Sequence, residues 1–237
     1  MQTIVLIATY NELENLRMLI PAVLAEIDAS LLIVDDNSPD GTPDYLREIA
    51  ATQPRLIPLI RAQKSGYGTA MLAGFAKANE LGADVVITMD ADFSHNPKDL
   101  PLLQKVIFDN KHDVAIGSRY ISGVRVINWA KSRLLLSIFA NLYVKTILGI
   151  RIEDATSGFR AYSADAIRLI ATNPPNSSGY SFLSEILYTV FCANKSICEV
   201  PIIYTERREG QSKMSKAVIM EAVMRPWLLR IRHILGK

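Results

Sequence analysis

The sequence predicts an α/β fold with a mainly parallel central sheet flanked by helices, and three observations carry that reading. Short apolar runs alternate with longer segments of helical spacing through the first half of the chain. Those runs are continuous rather than alternating, as expected of strands buried on both faces. Polar residues gather just beyond four of them, where an open parallel sheet collects its ligands.

The elements are justified in order. Thr3 to Ala8, Leu31 to Asp35, Leu56 to Ile60, Asp84 to Met89 and Asp113 to Gly117 read as strands, several rich in Val and Ile. Leu13 to Ile27, Pro43 to Ala51, Thr69 to Leu81 and Pro97 to Phe108 have helical spacing between them. Asn11 with Glu14 resembles a capping pair, and Pro43 and Pro97 stand where an early helical position tolerates a missing donor. The second half is less regular. Trp129 to Leu148, Ala161 to Ala171 and Ser181 to Ala193 read as helices, and Ile197 to Tyr204 as a strand in which Pro201 marks an edge or bulge. No repeat, low-complexity tract or linker divides the chain, so residues 1–237 are expected to form one domain.

Composition narrows the classes. Apolar residues make up 49% and charged residues 21% of the 237, which excludes general disorder. A net charge of +2 gives no reason to expect nucleic acid as a partner. The charge is uneven: 18 basic against 22 acidic residues in 1–206, then 8 against 2 in 207–237. Two cysteines, Cys192 and Cys198, exclude a disulfide scaffold and a four-cysteine zinc site. The start, Met1-Gln2-Thr3-Ile4, reads as a strand rather than a signal peptide, so a cytoplasmic location is expected, with no membrane-spanning helix.

Four strand ends point to one site. They carry Thr9, Tyr10, Asn11 and Glu12; Asp35 and Asp36; Lys64, Gly66 and Gly68; and Asp90, Ala91 and Asp92. Two carboxylates flanking a small residue at a buried strand end repel unless a cation or hydrogen bonds offset them. Oxygen donors favour Mg²⁺ or Mn²⁺, with phosphate oxygens completing the shell. Helix capping or an Asx turn by Asp92 is the alternative. Asp35 suits contact with a ribose hydroxyl, but no Gly-rich turn follows the first strand, which argues against a dinucleotide-dependent oxidoreductase. His95, His112 and His233 are too scattered for a histidine metal site.

Eight ordered segments resemble a known family, the inverting nucleotide-sugar glycosyltransferases of family 2, and within it the polyprenol-phosphate (dolichol-phosphate) mannosyltransferases. They are Ala8 to Glu12, Val34 to Thr42, Gly66 to Gly68, Met89 to Pro97, Gly117 to Tyr120, Thr156 to Tyr162, Gly179-Tyr180 with Glu185, and Arg207 to Met214. The resemblance implies a GT-A type fold, with a donor half over about residues 1–118 and an acceptor half over about 119–237. It implies inverting transfer of mannose from GDP-mannose to the phosphate of a polyprenyl lipid. Asp90 and Asp92 would then hold Mg²⁺ or Mn²⁺ on the donor diphosphate, with Tyr10, Asn11, Glu12, Asp35 and Asp36 at the nucleoside. Within the family, another donor such as UDP-glucose is the rival. A non-catalytic nucleotide-sugar-binding subunit and a membrane-recruitment module are readings from other classes.

The acceptor chemistry follows from charge. A phosphate monoester with a second pKa of about 6 is largely dianionic at neutral pH and needs no general base. It needs cations to aim it, and Arg119 and Arg133 are the candidates, with Ser137 one turn after Arg133 on the same helical face. A solvated loop charge and an ordinary helix-surface residue are the plain alternatives for the two arginines. Arg207 and Lys213 flank Gly210 in a polar stretch that suits either closure over the diphosphate or a solvated turn. Glu185 suits a buried partner for an arginine. An apolar stretch from Leu134 to Ile147 lies beside the proposed phosphate clamp, and the tail from Ala217 to Leu235, with Arg225, Arg230 and Arg232, suits a helix lying in an anionic membrane interface. The plain alternative packs the tail on the core with its basic residues outward. Peripheral attachment to the cytoplasmic face of a membrane, or a separate membrane-protein partner, is the expectation.

Overall fold

Val5 and Ile7 point to one side of the first strand and Ile4 and Leu6 to the other, and both sides are buried. That is the two-faced burial the continuous apolar runs predict, and it recurs through the computed structural model, which describes residues 1–177, 179, 181–206 and 216–235. The first half comprises β1 (Thr3–Thr9), α1 (Leu13–Glu26), β2 (Ser30–Asp35), α2 (Thr42–Thr52), β3 (Leu56–Ile60), α3 (Tyr67–Glu80) and β4 (Val85–Thr88). A 3₁₀ turn (Pro97–Asp99), α4 (Leu100–Phe108) and β5 (Val114–Ser118) follow. The remainder holds β6 (Val126–Ile127), α5 (Lys131–Leu148), β7 (Arg160–Ser163), α6 (Ala164–Thr172), α7 (Ser181–Cys192), β8 (Ile197–Pro201), β9 (Tyr204–Thr205) and α8 (Lys216–Ile234).

The main sheet runs β3-β2-β1-β4-β7-β5-β8, and a ribbon of β6 and β9 lies apart from it. Its strands pair in parallel except β7, which is antiparallel to both β4 and β5. The chain steps from β1 outward to β2 and β3, then returns to place β4 on the other side of β1. The crevice beyond the carboxyl ends of β1 and β4 is therefore the topological switch point, where such sheets bind ligands. One core layer packs α3, α6 and α7 side chains such as Phe75, Ile167 and Phe182 on Leu6 and Val86; the other packs Leu16, Leu19 and Leu103 on Val5 and Ile87. α3 lies close to the sheet because Gly74 stands where a Cβ would meet Leu6 Cδ1 at 2.3 Å.

Four expectations are corrected. Ala161 to Ala171 is not one helix: residues 160–163 form β7, and Ser163 then caps α6 by accepting from the Ala166 N–H at 3.3 Å. Alanine-rich composition favoured helix, but the open edges of β4 and β5 supply sheet hydrogen bonds that override it. Ile197 to Tyr204 divides after Pro201, which ends β8 at the edge of the sheet. Asn11 does not cap α1; it adopts a left-handed backbone (φ 58°), and the Leu13 N–H is satisfied by Asp40 at 3.1 Å. The tail helix packs against α5 and α7, but Arg225 and Arg230 turn inward to Glu185 and Tyr188 while Met220, Met224, Trp227 and Leu228 are exposed. Neither Arg225 nor Arg230 lines an outward basic face.

Candidate active site

The β2 end shapes the crevice from within. Asp35 is fully buried and accepts from the Ser38 N–H at 2.9 Å and the Ser38 hydroxyl at 2.5 Å, while Ser38 Oγ accepts from the Asn11 N–H at 2.9 Å. Burial raises the Asp35 pKa despite these bonds. Asp36 pairs with Arg61 at 2.9 Å and accepts from the Ser65 N–H at 3.1 Å. Both carboxylates, expected from sequence to face a nucleoside, thus brace the β1, β2 and β3 loops. Beside them Lys64 Nζ lies 3.9 Å from the Tyr10 ring centroid, Glu12 accepts from Asn15 at 2.8 Å, and Thr9 is buried.

Gly66 opens α3 at φ 102°, a conformation that glycine tolerates and branched side chains do not. One residue into the helix, Tyr67 meets Phe182 edge-on at 6.3 Å, and Gly68 stands where a Cβ would lie 2.5 Å from the Ser177 carbonyl. Ser177 is held by Glu185, whose carboxylate accepts from the Ser177 N–H (3.1 Å), the Ser177 hydroxyl (2.6 Å) and the Asn176 N–H (3.1 Å). Arg225 completes this cluster, the buried arginine partner that Glu185 suits.

Asp90 and Asp92 project from the loop after β4, with Ala91 buried between them. Asp92 accepts from the Ser94 N–H at 3.1 Å, forming an Asx turn that fixes one of its oxygens. Asp90 lies beside Gly158 and Tyr67, and its backbone N–H donates to His95 Nδ1 at 3.2 Å. Burial pushes the His95 imidazole down to about 4, so the ring is neutral, with its proton on Nε2. Among the described residues no group of three or more His, Cys, Asp or Glu is placed to hold a metal ion. A pair of hard carboxylates, one about a third exposed, still fits a divalent cation whose remaining positions are filled by ligand oxygens rather than protein.

Arg119 lies over the same Tyr204 ring that senses this pair, and Arg133 is linked to Arg119 through the Trp129 ring. Arg119 is 7% exposed, and its Nε and Nη2 donate to Asp154 at 2.7 and 2.6 Å, with Nη2 also reaching Thr156 at 2.8 Å. The fork expected to grip an acceptor is closed on a fully buried carboxylate, which holds the guanidinium charged. Arg133, about a third exposed, pairs with Glu206 and stacks 4.2 Å from the Trp129 ring centroid; Arg119 lies 5.6 Å from the same ring. Ser137 Oγ accepts from the Tyr120 hydroxyl at 2.8 Å. Arg207 and Lys213 lie outside the described residues.

An aromatic ladder joins the two clusters. Trp129 meets Tyr204 edge-on at 5.3 Å, Tyr204 meets His95 edge-on at 5.3 Å, and His95 stacks on Phe159 at 4.8 Å. Burial pushes the Tyr204 phenol up to about 12, with Asp90 and Asp92 adding to the shift and Arg119 opposing it. One ring therefore senses both the acids and the arginine. Sequence reasoning missed Tyr204, His95 and Asp154 as parts of the site. Only His95, five residues beyond Asp90, carried a local signal; the others are brought in by β9 and by the loop before β7.

Comparison with known proteins gives the family and the fold. The family model described as glycosyl transferase family 2 matches residues 4–170. Undecaprenyl-phosphate mannosyltransferase of Micrococcus luteus is 40% identical over 94% of this chain and 92% of its own length. Polyprenol monophosphomannose synthase of Mycolicibacterium smegmatis is 41% identical over 98% of this chain and 88% of its own. Among solved structures, glucosyl-3-phosphoglycerate synthase from Mycobacterium tuberculosis, crystallised with Mn²⁺, UDP-glucose and phosphoglyceric acid, superposes with a TM-score of 0.70 at 20% identity, covering 97% of this chain and 79% of that one. That likeness fixes the fold as GT-A, and with the family match and the two relatives it places this chain in glycosyl transferase family 2.

Proposed function

We propose that the protein transfers mannose, with inversion, from GDP-mannose to the phosphate of a polyprenyl monophosphate. The observation that carries the reading is the meeting of opposed charges at Tyr204: the Asp90 and Asp92 carboxylates, suited to a metal-bound diphosphate, and Arg119, which the Trp129 ring links to the partly exposed Arg133, suited to a phosphate nucleophile. The relatives named for undecaprenyl and polyprenol phosphate support the same chemistry. Tyr10, Asn11, Glu12 and Lys64 line the nucleoside end, supported from beneath by Asp35 and Asp36.

Asp90 and Asp92 would hold Mg²⁺ or Mn²⁺, whose charge, when bound, offsets that of the departing diphosphate. His95 keeps the Asp90 backbone in register by accepting its N–H. The acceptor needs no base, because a monoester with a second pKa of about 6 is already dianionic. Arg133 and Ser137 orient that anion, while Arg119, closed on Asp154 and reaching Thr156, braces the loop behind them.

The lipid requires a surface. Leu135, Leu136, Phe139 and Leu142 on α5 are exposed beside Met224, Trp227 and Leu228 on α8. The two helices are tied by Tyr143, whose hydroxyl donates to the Val223 carbonyl at 2.7 Å and accepts from Trp227 Nε1 at 3.0 Å. No helix among the described residues is long and apolar enough to cross a membrane, and this joint face lies on the bilayer instead. Assaying the purified protein with a panel of nucleotide sugars and polyprenyl phosphate in vesicles tests the reading. Mannosyl lipid from GDP-mannose is expected; no product from that donor overturns it.

A further inference from the structure

The two arginines of the acceptor cluster differ in whether their anion can be exchanged. The partner of Arg119 is fully buried and held by backbone and side-chain donors, so that pair is permanent. The partner of Arg133 is Glu206, and both side chains are about a third exposed. Glu206 is set in place by the β6–β9 ribbon, since its N–H donates to the Ile127 carbonyl at 3.1 Å. The Trp129 ring, 4.2 Å from the Arg133 guanidinium, holds that group by its face and leaves the edge to whichever anion binds.

We infer that Glu206 is an internal competitor for the acceptor anion: its carboxylate occupies Arg133 until an incoming phosphate displaces it. The inference rests on the assignment of Arg133 to the acceptor in the proposed function. A carboxylate brings one negative charge to the guanidinium fork, whereas a phosphate monoester brings two and three acceptor oxygens. The monoester therefore displaces Glu206, and its apparent affinity falls by the fraction of Arg133 that the carboxylate occupies. For a pair about a third exposed that factor is about two- to fivefold.

The test uses the full chain and needs neither donor nor turnover. The sequence holds two tryptophans, so Trp227→Phe leaves Trp129 as the sole indole reporter beside Arg133. This variant is titrated by fluorescence with a water-soluble short-chain isoprenyl phosphate and with its methyl diester, at pH 8 and pH 5. It is expected to bind the monoester at pH 8, to weaken at pH 5 as the phosphate loses its second charge, and to bind the diester more weakly than the monoester. Adding Glu206→Gln should tighten monoester and diester alike, about two- to fivefold at pH 8, because removing a competitor lifts the same occupancy factor from every anion. Glu206→Ala should do the same, and Glu206→Asp should restore the parent pattern. Unchanged affinity for both esters in Glu206→Gln would overturn this inference alone. Failure of both chains to bind the monoester would remove the acceptor assignment of Arg133, and this inference with it.

Discussion

Replacing Arg225 with Met severs the clamp between α8 and the body of the protein. Arg225 Nε and Nη2 donate to Glu185 at 2.8 to 3.0 Å, and the two side chains are only 15% and 5% exposed. Removing one partner of a buried pair costs about 3–5 kcal/mol, because the other charge is left without compensation. Glu185 retains three donors from Ser177 and Asn176, which places the expected loss at the lower end, about 3 kcal/mol. Met preserves much of the packing of the arginine stem, so the loss reports the charge. A cycle with Glu185→Gln should give a coupling energy of about 2 kcal/mol in urea denaturation at pH 7. The pH dependence has a definite sign. Burial raises the Glu185 pKa, but Arg225 and the Ser177 and Asn176 donors outweigh it and hold the carboxyl below its ordinary value of 4.5. The stabilisation is therefore full above 4.5 and is lost as pH falls through the lower folded value, so parent and variant should converge in acid. An Arg225→Met loss below about 0.5 kcal/mol at pH 7, with no coupling, would refute the clamp.

Three further outcomes are expected. Asp92→Ala should abolish turnover while lowering stability by only about 1 kcal/mol through the lost Ser94 turn, and calorimetry with Mn²⁺ and GDP should show binding lost; wild-type turnover would rule out its metal role. His95→Phe keeps the stack on Phe159 but removes the acceptor for the Asp90 N–H. A stability loss of about 1–3 kcal/mol is expected, together with a fall in kcat, read by denaturation and initial rates. Replacing Leu135, Phe139 and Trp227 together with Ser should release the protein from sedimenting vesicles without changing its folded circular-dichroism spectrum, because all three are already exposed.

The parallel strands were legible because burial on both faces leaves an unbroken apolar run, as in Ile4 to Ile7 and Leu31 to Val34. The site was legible as loops because those runs end in polar clusters. What the chain order hides is pairing at long separation. Asp154 closes on Arg119 across 35 residues, and Glu206 reaches Arg133 across 73, so neither arginine's state could be read from its neighbours. β7 was missed because four residues are too few for a period to emerge, and their alanine favours helix. The tail misled for another reason: an apolar stripe does not say whether protein or lipid covers it. The inward turn of Arg225 is dictated by Glu185 on α7, far away in sequence.

The reversed strand β7 also governs how this protein can be cut and how it emerges during synthesis. Among the described residues β5 pairs with β7 and β8, and β7 stands between β4 and β5. A nascent chain that has reached Ser118 therefore carries β5 with no strand beside it and β4 with a bare edge, a template for mispairing until Arg160 to Ser163 arrives. The portion up to β5 is thus not a module that can be borrowed for engineering by itself. Grafts and split reporters must keep residues 160–163 with the first four strands.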